Sequence, residues 1–153
     1  MLVSEQSIAS LVDGFESGTW PVKDFHHAEH VAIAAWYATG YDDALDQLRV
    51  RIPEYNVRQG GQNTRDSGYH ETLTCFWFHV VSDFLADLPP GTPRIDAIRA
   101  AAAEFGSTPG LFRAYYDFDV VKSQTARAEW MEPSEATKTV RRWRARGQST
   151  VPV

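Results

Sequence analysis

His27, His30, His70 and Glu71 are the residues of this chain whose types and spacing could do chemistry together. The first two lie in FHHAEHVAIAAWYATGY and the second two in GYHETLTCFWFHVVSDFL. A three-residue step puts His27 and His30 on one face of a helix, and His70 opens a second apolar face. Imidazoles brought together from two helices make a metal site or an acid-base site. Three nitrogens with an open position suit zinc hydrolysis, two histidines with Glu71 suit iron and oxygen, and copper also fits. The competing reading is structural: histidines at helix starts donate to carbonyls and carboxylates. HExxH and cysteine-rich ligand patterns are absent, as are the paired Glu-x-x-His repeats of di-iron bundles.

Helices must position these groups. Ser4 to Phe15 predicts a first helix, with Ile8, Leu11, Val12 and Phe15 on one face. Asp24 is the expected N-cap of a second, which Gly40 ends. Its inward face carries His27, His30, Val31, Ala34, Tyr37 and Ala38. Small Ala34 and Ala35 leave room for a ligand. A third helix starts at Asp42 or Asp43, and Pro53 ends or kinks it. The polar stretch VRQGGQNTRDSG reads as a loop. A fourth helix runs from Tyr69 to about Leu88, facing inward with His70, Leu73, Thr74, Trp77 and Val81. Arg94 to Phe105 is a fifth, with Pro93 placed for the first turn. Leu111 to Tyr116 is a short segment. Val120 to Met131 reads as a helix closed by Pro133, and Ser134 to Arg146 as a last helix or frayed tail. No stretch alternates strictly as a strand would. The expectation is an all-α, single-domain bundle of six or seven helices over residues 1–153, with a polar pocket in its core.

Other groups border the expected site. Arg127 would share a helix face with Val120 and Trp130, so it needs an anion: Glu71, another carboxylate of the chain, or a substrate carboxylate. Tyr69 could donate to a ligand or fill the core. Cys75, among bulky aromatics, reads as an inert buried thiol. Thr72 and Thr74 could bond back to carbonyls or orient a histidine.

The net charge of −5 disfavours a nonspecific nucleic-acid role. The basic segment RRWRARG offers a phosphate patch or a solvated helix end. No apolar run is long enough to span a bilayer, and MLVSEQSIAS lacks the pattern of a signal peptide. A single cysteine suits a reducing cytoplasm. The excess of arginine over lysine suggests a GC-rich bacterial source.

The motif order resembles a group of small all-helical bacterial proteins with a Phe-x-His-x-x-His helix, a Tyr-His-Glu-Thr-x-Thr helix and a late Ser-x-x-Ala-Arg segment ending in proline. Here the matching residues are Phe25, His27 and His30; Tyr69, His70, Glu71, Thr72 and Thr74; and Ser123, Ala126, Arg127 and Pro133. Ser134 stands where that pattern has an acidic residue. The resemblance implies that the three segments form one site. It supplies no substrate, metal or reaction.

The leading expectation is a mononuclear metal enzyme for a small, anionic molecule. His27, His30 and His70 would hold one divalent iron, zinc or copper ion. Glu71 would be a fourth ligand or general base, with Arg127 and Tyr69 serving the substrate. The alternatives are metal-free acid-base catalysis by the same groups, and a non-enzymatic ligand-binding or scaffold protein. A homodimer is compatible with either.

Overall fold

A computed structural model describes residues 4–134. Among them the fold is all-helical: α1 Glu5–Ser17, α2 His27–Gly40, α3 Ala44–Arg58, α4 Glu71–Ala86, α5 Arg94–Phe105 and α6 Gln124–Ala128. Two 3-10 turns, Val22–Asp24 and Leu111–Ala114, join them. The basic segment RRWRARG and most of the expected last helix lie outside the described residues. No helix among those described is long and apolar enough to cross a membrane.

α2 is the centre of the bundle and packs against α1, α3, α4 and α5. Its middle is apolar on every side, and Val31, Ala32, Ile33, Ala34, Ala35 and Tyr37 are all buried. That is the composition of a helix with neighbours all round. Ile8, Leu11, Val12 and Phe15 of α1 join the same core, as their spacing predicts. Ser4 caps α1 by accepting from the Ser7 amide at 3.1 Å. Gly18 closes it with φ of 74°, a left-handed conformation that favours glycine.

Several boundaries differ from the sequence reading. Asp24 does not cap α2; it sits in the 3-10 turn, and His26 takes the N-cap position. The Glu29 carboxylate accepts from the His26 amide at 2.8 Å, the reciprocal half of a capping box. α3 continues five residues past Pro53. The chain beyond the proline is anchored from outside: the buried Tyr55 hydroxyl donates to the Trp20 carbonyl, and Gln59 holds Val22 and Gly18. Those contacts offset the missing amide. α4 starts at Glu71, with His70 as its cap. Pro93 is the N-cap of α5 and lies just before its first turn.

The largest departure is near the C-terminal end of the described chain. The expected helix from Val120 to Met131 is only the five residues of α6. Ser123 Oγ caps it through the Ala126 amide at 3.1 Å, and Glu129 is already extended. Thr72 competes for the chain that follows. Its hydroxyl donates to the Glu129 carbonyl at 2.8 Å and accepts from the Met131 amide at 3.0 Å, which straps the segment onto α4.

Candidate functional site

A cavity of about 720 Å³ opens between α2, α3, α4 and the 59–69 loop. Val31 and Ala34 of α2, Leu48 and Ile52 of α3, and Leu73 and Trp77 of α4 supply much of its apolar wall. The glycine-rich loop closes one side through Gly60, Gly61, Gln62, Ser67 and Gly68. Gly68 has φ of 81°, and a Cβ there would lie 2.3 Å from the Gln62 carbonyl, so this corner of the loop requires glycine.

His27, His30 and His70 all line this one cavity, but in different ways. His27 stands edge-on to Trp77, with ring centroids 4.4 Å apart. Its Nε2 is buried and has no hydrogen-bond partner among the described residues. Burial lowers its pKa, against the effect of a hydrogen bond to the Phe105 carbonyl. His30 stacks on Phe25 at 4.0 Å with the rings nearly parallel. Protein surrounds it, yet its surface is exposed, so that surface is the cavity's. Burial, then the neighbouring His27, lower its pKa to about 4, against a hydrogen bond to the Phe25 carbonyl. Both imidazoles are neutral at pH 7.

His70 is committed to the fold. Its Nδ1 accepts from the Leu73 amide at 3.2 Å as the cap of α4. Its Nε2 must then carry the proton, and it donates to the Val120 carbonyl at 2.9 Å. Neither nitrogen is free for a metal while this geometry holds.

Glu71 lies behind the wall, outside the cavity lining. Arg49 of α3 holds it, with Nε at 2.9 Å and Nη2 at 2.8 Å from Oε2. Tyr69 donates its hydroxyl to Oε1 at 2.6 Å, and Cys75 Sγ donates to Oε2 at 3.3 Å. Burial alone would raise the Glu71 pKa, but these donors outweigh it and hold the carboxyl below its usual range. A carboxylate so engaged is a poor proton acceptor. Tyr69 borders the cavity but spends its proton on Glu71; burial, and then that carboxylate, push its pKa up. Cys75 is fully buried and its pKa is pushed up to about 12, first by burial and then by Glu71, so it is an inert thiol.

The anion expected beside Arg127 is not Glu71. Arg127 Nη1 donates to the carbonyls of Gly68 at 2.9 Å and Tyr69 at 3.3 Å, and Nη2 to that of Val121 at 3.2 Å. The guanidinium therefore clamps the loop wall to the segment around α6. Arg127→Met is expected to cost about 2 kcal/mol, since hydrogen bonds from a charged donor are lost at a half-buried site. The loss should nearly add to that of Glu71→Gln, because the two side chains share no hydrogen bond and meet only through Tyr69, one at its carbonyl and the other at its hydroxyl. Urea unfolding of the two single variants and the double variant checks this.

Sequence reasoning missed Arg49, the true partner of Glu71. It also missed Asn63, which holds the loop: its Oδ1 accepts from the Tyr69 amide at 2.9 Å and its Nδ2 donates to the Pro53 carbonyl at 2.9 Å. Among the described residues, no three His, Cys, Asp or Glu side chains gather closely enough to hold a metal ion. No protein-family model, no curated protein and no solved structure matches this chain.

Proposed function

We propose that the protein binds a small, uncharged, largely apolar molecule in the cavity between α2, α3 and α4. One observation carries this reading. Among the described residues, no Asp, Glu, Lys or Arg side chain lines the cavity. A ligand carboxylate or ammonium would lose its hydration with no opposite charge on the wall to compensate it. The aromatic rings of Phe25, Trp77, Phe78 and Phe112 instead offer apolar contact, and pockets of this size and character take small molecules. Arg127, the group expected to hold an anionic substrate, is engaged by carbonyls behind the loop.

A catalytic use of the same cavity rests on His30, whose exposed ring surface faces it. A neutral imidazole there could accept a proton from the bound molecule. Binding comes first in either case, so binding is what is tested.

Two fluorescent probes share one ring skeleton. N-phenyl-1-naphthylamine is uncharged, and 1-anilinonaphthalene-8-sulfonate carries a sulfonate. The uncharged probe is expected to bind about tenfold or more tightly than the sulfonate, the penalty for an unpaired buried charge. Ala34→Leu, which fills the cavity from α2, should abolish binding while the helical circular dichroism is retained. Equal binding of the two probes, or binding unaffected by Ala34→Leu, would refute the proposal.

A further inference from the structure

His30 forms a ring stack that is covered on one side. Its ring centroid lies 4.0 Å from that of Phe25, with 9° between the planes. At that separation and angle the rings overlap face to face, since a large sideways offset would lengthen the distance. Phe25 therefore closes one face of the imidazole. Yet His30 is exposed, and it lines the cavity. Its accessible ring surface must then be the opposite face and the edge, so the cavity wall presents a flat, open ring here.

The platform beneath that ring is held from both sides. Phe25 meets Tyr55 edge-on at 4.9 Å and Phe15 at 5.9 Å, and both of these rings are only 2% exposed. The Tyr55 hydroxyl donates to the Trp20 carbonyl, which fixes it in turn. On the other side α2 anchors His30, whose amide donates to the His26 carbonyl at 3.1 Å. A ring so braced loses little freedom when a ligand settles on it.

Val31, Leu48, Ile52 and Leu73 line the same cavity with branched aliphatic groups. Such groups fit an acyl chain, a puckered ring or a flat one equally well. The open face of His30 discriminates among them. A flat ring brings all its atoms into contact with that face, whereas the axial hydrogens of a saturated ring hold its carbons away. A stacked aromatic pair also gains more than its buried area alone supplies.

We infer that the cavity's ligand contains a flat aromatic ring that stacks on the open face of His30, as a third layer over Phe25. This rests on the binding role proposed above. It narrows that role from uncharged apolar molecules in general to aromatic ones, as against acyl chains and saturated ring systems.

The test compares 2-naphthol with decahydro-2-naphthol, each displacing N-phenyl-1-naphthylamine. Both are uncharged at neutral pH and share a carbon skeleton and a hydroxyl, but only the naphthol is flat. Their different affinities for water cancel when the ratio of the two is compared between protein variants. His30→Leu removes the flat face and should reduce the preference for naphthol about fivefold. His30→Phe restores a flat face with no polar atom and should keep the preference. A measurement on the unaltered protein does not depend on the variants folding. Added naphthol should move the His30 ring-proton resonances upfield, because protons over the face of an aromatic ring are shielded. Decahydronaphthol should leave them nearly in place.

An unchanged ratio in His30→Leu, or no upfield shift with naphthol bound, would overturn the stacking and leave the binding role standing. Loss of the preference in His30→Phe as well as in His30→Leu would also overturn it, by assigning the preference to a hydrogen bond with the imidazole. Failure of the probe itself to bind would remove the binding role, and the stacking with it.

Discussion

Replacing Arg49 by methionine is expected to destabilise the fold by about 3 kcal/mol, among the largest effects of any single side chain outside the apolar core. Arg49 puts two nitrogens on one oxygen of Glu71, and the two side chains are only 21% and 15% exposed. Removing the guanidinium leaves a carboxylate largely shut off from water. The Tyr69 hydroxyl and Cys75 thiol still donate to it, but neither supplies a positive charge. Glu71→Leu alone strands the opposite charge less severely, because Asp46 remains 3.2 Å from Arg49 Nη1. The double variant Arg49→Met/Glu71→Leu should recover a substantial part of the loss, since neither charge is then left behind. Urea unfolding of the four proteins gives the coupling directly. A single-variant loss below about 1 kcal/mol would place this pair with exposed surface ion pairs and contradict its role as the pin between α3 and α4.

The sequence made the helices legible wherever apolar spacing was continuous. α1 and α5 fall where periodicity and breakers put them, and the inward face of α2 brings His27 and His30 to one cavity. It was less informative wherever a residue's role depended on chain far away. Arg49 is 22 residues from Glu71, and nothing in the local pattern of α3 marks that pairing. His70 was placed by helix phase, but it lies one residue before α4, where a side chain turns back to cap amides. One position thus separates a candidate ligand from a structural cap. Arg127 suffered from the same assumption. The face it was to share with Val120 and Trp130 does not exist, because α6 is one short turn between a serine cap and the Thr72 strap. The glycine-rich loop could be read as a loop, but its service as a cavity wall follows only from Asn63 and Arg127 gripping it at tertiary range.

Acidification is expected to destabilise the protein well before its carboxylates titrate. Four histidines, His27, His30, His70 and His79, have pKa values lowered in the folded state, with burial the largest cause for each. His79 is 2% exposed, and burial followed by the charge of Arg49 brings it to about 4. In the unfolded chain a histidine titrates near 6.5. Between those values the unfolded state binds more protons than the folded one, so stability falls as pH falls. The full contribution is present above about 6.5 and is lost on descent through about 4. For His79 the shift corresponds to about 3 kcal/mol. His30 acts in the same direction, but more weakly than its shift implies, because water in the cavity solvates its charged form. Glu71 adds a second, lower window: its carboxyl is held below 4.5, so its stabilisation is lost only as pH falls beyond that value. Unfolding free energies measured between pH 7 and pH 4.5 should therefore slope steeply, in a range where ordinary carboxylates contribute little. His79→Gln removes one titrating group and should flatten that slope, whatever it costs in stability at pH 7. A free energy constant from pH 7 to pH 5 would mean that these imidazoles take up protons in the folded state as readily as in the unfolded chain, and burial would not be holding them neutral.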